Sequence, residues 1–201
     1  MTAGTRLKTV RDINLEGRTL FVRADLNVPF HPGTTKISDD SRIKASLPTI
    51  KHLLNRQNKI VICSHLGRPK GKVVDTLRMT PITQRLTELL DCPVTQTQDC
   101  IGTDVKEVVG SMKPRQVTVL ENVRFHFEEE INDPIFAKSL ASLADIYVND
   151  AFGAAHRAHA STEGISKFIP SVAGLLMARE INILGQLLDS PKRPFSAVLG
   201  G

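Results

Sequence analysis

Tryptophan is absent from the 201-residue chain and tyrosine occurs once, at Tyr147. Lysine and arginine are scattered rather than bunched, so the formal net charge of +5 comes without the basic runs and interleaved aromatics of a nucleic-acid surface, and no nucleic-acid partner is expected. Cysteine is scarce. Cys63, Cys92 and Cys100 form no C-x-x-C pair, and an odd count without a secretory leader predicts reduced thiols. No apolar run approaches the ~18 residues of a membrane span. The opening stretch MTAGTRLKTVRD is charged where a signal peptide has its apolar centre. No membrane partner is therefore expected, and the predicted location is the cytoplasm. Glycine-rich phosphate loops are missing too: neither G-x-x-x-x-G-K-[ST] nor G-x-G-x-x-G occurs, and Gly67-Arg68-Pro69-Lys70-Gly71-Lys72 satisfies neither, so no nucleotide or other cofactor is expected on this chain. His156 and His159 have a spacing that could hold zinc, but no H-E-x-x-H pattern or neighbouring cysteine supports it, and no metal site is predicted.

What is present describes an ordinary globular chain, 41% hydrophobic and 23% charged, at the upper end of what one core serves. Short apolar runs recur at Leu20-Phe21-Val22, Ile60-Val61-Ile62-Cys63, Val117-Thr118-Val119-Leu120, Ile146-Tyr147-Val148 and Ala197-Val198-Leu199, with a weaker one at Pro93-Val94-Thr95-Gln96. Continuous apolar strands of this length read as buried on both faces, and hence parallel. Helical stripes lie between them. Ile43, Leu47, Ile50 and Leu54 follow Ser41, with Pro48 expected to kink that helix or to start its main part. Thr80-Pro81 reads as an N-cap with proline at the first helical position, ahead of Ile82, Leu86, Leu89 and Leu90. Asp133-Pro134 repeats the device before Phe136, Leu140 and Leu143. A last helix is expected from Leu175 to Leu188, followed by the polar, proline-rich segment Asp189 to Pro194 as a linker. Strands alternating with helices predict an α/β fold of three layers, with helices on both faces of a parallel sheet.

In open parallel sheets ligands bind beyond the carboxyl ends of the strands. Here those ends are polar. The first strand leaves on Asp25 and Asn27, the second on Ser64-His65-Leu66-Gly67-Arg68, the Val117 strand on Glu121-Asn122-Val123-Arg124, and the Ile146 strand on Asn149-Asp150, leading to His156-Arg157-Ala158-His159. Arg68, Arg124, Arg157 and Arg42 outnumber Asp25 and Asp150. Guanidinium forks on separate loops suit a phosphate or carboxylate ligand. Asp25 and Asn27, two apart, are placed to orient a hydroxyl. Arg23, sharing the parity of Asp25, reads as a structural partner of a carboxylate. Cys63, inside a strand, reads as a small core hydrophobe.

Five blocks then point to one family. VRADLNVP (22–29), DDSRIKASLPTIKHLL (39–54), SHLGRPKG (64–71), ENVRFHFEEE (121–130) and VNDAFGAAHRAHAST (148–162) together closely resemble the N-terminal half of the phosphoglycerate kinases. The resemblance implies a Rossmann-like three-layer domain with a six-stranded parallel sheet. It also implies phosphoryl transfer between 1,3-bisphosphoglycerate with ADP and 3-phosphoglycerate with MgATP. Carried onto this sequence, Asp25 and Asn27 would contact the triose around its hydroxyl and carboxylate, and His65, Arg68, Arg124 and Arg157 would hold its phosphate. Arg42 would be the catalytic arginine. The family's nucleotide site lies in a second domain, so MgATP or MgADP would belong to the complete enzyme and none to this chain. The expected organisation is a 3-phosphoglycerate-binding domain over 1–174, an interdomain helix over 175–190, and over 191–201 a linker and first strand of an absent C-terminal nucleotide-binding domain. On that reading the chain alone is a truncated, essentially inactive substrate-binding half, whose last helix exposes apolar surface. The rival expectation is a non-catalytic module binding anions or partners through its basic rim.

Overall fold

The structure is a computed structural model and describes residues 7–196 and 198. Among the described residues there are six strands and six α-helices. They run β1 (Thr19–Arg23), α1 (Ser41–Leu54), β2 (Lys59–Cys63), α2 (Thr80–Leu89), β3 (Val94–Gln96), α3 (Thr103–Gly110) and β4 (Val117–Val119), then α4 (Phe127–Glu130), α5 (Pro134–Ala141), β5 (Ile146–Asn149), β6 (Ser171–Ala173) and α6 (Leu175–Asp189). The strands form one parallel sheet in the order β3-β4-β2-β1-β5-β6. The direction of winding reverses on either side of β1, which pairs with β2 along one edge and β5 along the other.

Alternation along the strands sorts the core into two layers. Leu20, Val22, Ile60, Ile62, Val117 and Val119 face α1 and α2, where Ile43, Ile50, Leu53, Ile82 and Leu86 meet them. Phe21, Val61, Cys63 and Tyr147 face the other way, against Val105 and Val109 of α3 and Phe136, Ala137 and Leu140 of α5. With both faces covered, the central strands need no polar side, which is why they read as continuous apolar runs. The three-layer α/β fold with a six-stranded sheet is as expected. No helix among the described residues is long and apolar enough to cross a membrane, and all three cysteines are free.

Local details differ from expectation in instructive ways. The helix carrying Pro48 is unbroken from Ser41 to Leu54; Pro48 lies on its exposed side, where water can satisfy the carbonyl one turn back. At α2 the cap is Met79, with Thr80 already helical and no side chain capping the first turn; the Glu121 carboxylate beyond β4 accepts the N–H of Met79 itself at 2.8 Å. Asp133 does cap α5, accepting from the Phe136 N–H at 2.8 Å. Three elements had no forecast: α3, rich in β-branched residues that disfavour helix, the single turn α4, and β6, three residues flanked by Pro170 and Gly174. The strand expected at Ala197-Val198-Leu199 lies outside the described residues, as Ala197 and Leu199 are not among them. The sixth strand of the sheet is β6.

Candidate functional site

The loops after β1, β2, β4 and β5 converge on one rim, and buried hydrogen bonds lock them together. Asn122, fully buried, accepts from the Leu66 N–H at 3.2 Å and donates to the Leu66 carbonyl at 2.7 Å and the Leu77 carbonyl at 3.0 Å. The Ser64 hydroxyl accepts the Leu26 N–H at 2.9 Å. Gly67 is the junction: its N–H donates to Asn27 Oδ1 at 2.8 Å and its carbonyl accepts from the Arg124 guanidinium at 2.9 Å. It holds a left-handed φ of +62°, and a Cβ there would lie 2.8 Å from the Leu77 side chain. Both facts call for glycine.

Each candidate side chain has a definite place on this rim. Asp25 and Asn27 stand beyond the end of β1, on the loop. Asp25 pairs with Arg42 from the first turn of α1, and its Oδ1 accepts the Asn27 N–H at 3.4 Å. Arg42 is half exposed. Because Asn27 Oδ1 is engaged by Gly67, the amide nitrogen is its remaining donor toward a ligand. A Cβ on Gly153, in the loop after β5, would come 2.6 Å from Asp25 Oδ2 and 3.8 Å from Arg42, so that loop closes against the same pair. Arg124 is almost wholly buried, with Glu130 at 3.5 Å from its Nε. Burial lowers its pKa, Glu130 opposes this, and Arg157 and Arg23 add to it; a guanidinium remains charged throughout. Arg68 is exposed and Arg157 half-buried, the latter donating to His156 Nε2 at 3.3 Å.

His65 is 6% exposed and surrounded by positive charge. Burial first, then Arg23, Arg124, Arg157 and His159, push its pKa down to about 2. It is a neutral imidazole at any ordinary pH. Thus Asp25, Asn27, Arg42, His65, Arg124 and Arg157 are brought to one cationic rim, with Arg68 next to the Gly67 junction. Asp150 is not on it as a ligand. Its Oδ1 accepts from Leu176 and Met177 N–H at 2.9 and 3.2 Å, capping α6, a favourable place for a carboxylate.

Arg23 also differs from expectation. Fully buried, it donates to the Ser161 hydroxyl at 2.8 Å, to the Ala24 carbonyl and, at 3.1 Å, to His65 Nδ1. The carboxylate enters one step further on, at Glu129. Asn122, Glu129 and Ser161 escaped sequence reasoning, since nothing local distinguishes Glu129 from its neighbours in the run Glu128-Glu129-Glu130. A second cluster, Asp99, Cys100 and His126, has its polar atoms within 4.8 Å of one another. It is already satisfied internally: Asp99 Oδ1 meets His126 Nε2 and the Cys100 N–H, and the Cys100 thiol donates to the Glu121 carbonyl at 2.8 Å. This clasp ties the segment after β3 to the one after β4.

The family model described as phosphoglycerate kinase matches residues 10–201. The chloroplastic phosphoglycerate kinase of Chlamydomonas reinhardtii is 55% identical over 198 residues, covering 96% of this chain and 43% of the relative. That of Dictyoglomus turgidum is 56% identical over 192 residues, covering 96% and 48%. Among solved structures, phosphoglycerate kinases from Coxiella burnetii and Pyrococcus horikoshii superpose with TM-scores of 0.81 and 0.82. Each is 34% identical and covers 94% of this chain and 47% of the other. The chain spans about half the length of the curated relatives it matches.

Proposed function

Because the chain belongs to the phosphoglycerate kinase family, we propose that it is the half of such a kinase that binds 3-phosphoglycerate or 1,3-bisphosphoglycerate. The observation carrying this reading is the convergence of one neutral histidine and several arginines on a single rim, beside the Asp25–Arg42 pair. Arg68, Arg124, Arg157 and His65 hold the substrate's phosphate. Asn27, through its amide nitrogen, and Asp25 engage the carboxylate and hydroxyl. Helix α6 is the interdomain helix after a domain ending near residue 174. The nucleotide site comes from the part of the relatives' length that this chain does not match.

In the transfer itself, a carboxylate oxygen of 3-phosphoglycerate forms a bond to the γ-phosphorus of ATP as the bond from that phosphorus to the bridging oxygen of ADP breaks. The attacking carboxylate is already ionised, so no base is required, and catalysis reduces to positioning and charge stabilisation. Arg42 is suited to the second task. It is half exposed and held by a single carboxylate, so a more highly charged phosphoryl group can draw it away and leave Asp25 free to accept the substrate hydroxyl. In the complete enzyme MgATP would supply the phosphoryl group, MgADP would accept it from 1,3-bisphosphoglycerate in the reverse direction, and the magnesium would screen its charge.

Titration of the chain with 3-phosphoglycerate, followed by amide NMR, tests the reading. Shifts are expected at Asn27, Arg42, Arg68, Arg124 and Arg157. No shifts, together with steeply salt-dependent oligonucleotide binding, would favour instead a non-catalytic anion-binding module. In the complete enzyme, Arg42→Ala is expected to lower kcat far more than it raises KM.

A further inference from the structure

Beneath the rim lies an almost wholly buried polar chain. Glu129 of α4 is fully buried, as is Ser161, and Arg23 at the end of β1 is 1% exposed. The Glu129 carboxylate accepts twice from Ser161: its Oε1 takes the hydroxyl proton at 2.7 Å and its Oε2 the N–H at 2.8 Å. With its proton committed to Glu129, the Ser161 oxygen turns a lone pair to Arg23 Nε at 2.8 Å. Arg23 then reaches His65 Nδ1 at 3.1 Å.

The direction of each bond is forced. A guanidinium can only donate, so His65 Nδ1 must accept, and its single proton must sit on Nε2, on the opposite side of the ring. We propose that Glu129 is a positioning residue of the rim: through Ser161 it fixes Arg23, and Arg23 fixes His65 as the neutral tautomer whose Nε2–H is the donor offered to a bound anion. Burial raises the Glu129 pKa, but His159, the charge of Arg23 and the two Ser161 bonds outweigh it and keep the group ionised. The charged groups facing His65 are Arg23 at the end of β1, Arg124 after β4, and Arg157 with His159 after β5. All can carry positive charge, so an imidazolium there would add repulsion. A neutral donor keeps the anion's hydrogen bond and spares the protein that cost. The consequence for substrate binding rests on the proposed function above, whereas the tautomer does not.

Nitrogen-15 correlation spectra of the His65 ring in this chain decide the matter. The expected spectrum has one neutral tautomer, protonated at Nε2, unchanged from about pH 5 to 8, the range in which an unperturbed histidine titrates. In Glu129→Gln the donor to Nδ1 loses its anchor, the ring becomes a mixture of tautomers, and 3-phosphoglycerate binds roughly five- to tenfold more weakly, the worth of about one hydrogen bond. Ser161→Ala, which keeps the buried carboxylate, is expected to act in the same direction, and Ser161→Thr, which keeps the hydroxyl, to restore the single tautomer. If Glu129→Gln fails to fold, the two Ser161 variants carry the comparison. An Nδ1-protonated or charged His65 in the unsubstituted chain, or an unchanged spectrum in the folded variants, overturns the proposal. Should 3-phosphoglycerate fail to bind at all, the proposed function fails while the tautomer measurement still stands or falls by itself.

Discussion

Replacing Gly174 by alanine is expected to be among the most costly single-methyl additions in the chain. Gly174 precedes α6 with φ −71° and ψ 174°, a conformation open to any residue, so backbone strain contributes nothing. The cost is steric: a Cβ there would lie 2.1 Å from Asp150 Oδ1 and 2.4 Å from its Cγ. Asp150 would have to leave, losing its bonds to Leu176 and Met177 in a fully buried setting. Hydrogen bonds to charged groups are each worth about 1.5–3 kcal/mol net. Alanine returns about 0.4–1 kcal/mol by restricting the unfolded chain. The expected net loss is therefore about 2–5.5 kcal/mol, a fall of roughly 4–22 °C in Tm for a chain of this size. Urea unfolding of Gly174→Ala, Asp150→Gly and the double variant gives the decisive comparison. Asp150→Gly also removes the Asp150 Cβ, which would lie 2.7 Å from the added methyl, so the double variant should cost little more than Asp150→Gly alone, leaving a coupling of about 2 kcal/mol or more. Additive losses, or a cost below about 0.5 kcal/mol for Gly174→Ala, would refute the reasoning.

Two further outcomes concern titration. His65 stays unprotonated in the folded chain down to about pH 2 but takes up a proton near pH 6.5 when unfolded, so it makes the fold lose stability as pH falls below 6.5, by about 1.4 kcal/mol per unit once well below that value. Urea midpoints for His65→Gln between pH 7 and 5 should show a correspondingly flatter slope; an unaltered slope would contradict the burial argument. The Asp99–His126 clasp runs the other way at neutral pH: hydrogen bonding to Asp99 raises the His126 pKa despite burial, so its contribution is complete below pH 6.5 and is lost as pH climbs through the raised value, a loss that His126→Asn should abolish. The thiols should also separate by reactivity. Burial pushes Cys63 up to about 12 and Cys100 well above the ordinary range, whereas Cys92 is only half-buried and less shifted; a disulfide reagent near pH 8, followed by peptide mass analysis, should label Cys92 alone until denaturant is added.

The sheet and its polar rim were readable because both follow from rules that act along the chain. Buried parallel strands make continuous apolar runs, and ligands gather where such runs stop, so Asp25, Asn27, His65, Arg124 and Arg157 could be nominated strand by strand. What could not be read was how these groups hold each other. Arg23 meets Ser161 across 138 positions and Asn122 meets Leu66 across 56, and no periodicity encodes a pairing at that separation. Asp150 illustrates the limit from the other side: its position at a strand end was visible, but its commitment to the start of α6 depends on where the chain returns after β6. Glu129 was hidden inside a run of three glutamates, two of which are solvated. Short elements failed for a related reason, since β6 is three residues long and its pairing with β5, not its composition, makes it a strand.

The position of β1 has a consequence for how the molecule is made. One edge of β1 pairs with β2, which follows soon after it, but the other waits for β5, with Leu20 opposite Ile146 and Arg23 opposite Asn149. During synthesis at ~5–20 residues per second, the middle strand of the finished sheet spends several seconds with one row of its peptide groups unpaired. Pairing across so long a stretch of chain carries a loop-closure cost that slows folding. The loop bearing Asp25 and Asn27 emerges early, yet the residues that complete its surroundings, Gly153 to Ser161, come after β5. The rim is therefore among the last parts of the domain to acquire its shape, and a nascent chain stalled before β5 would present an open strand edge, the kind of surface that chaperones must cover.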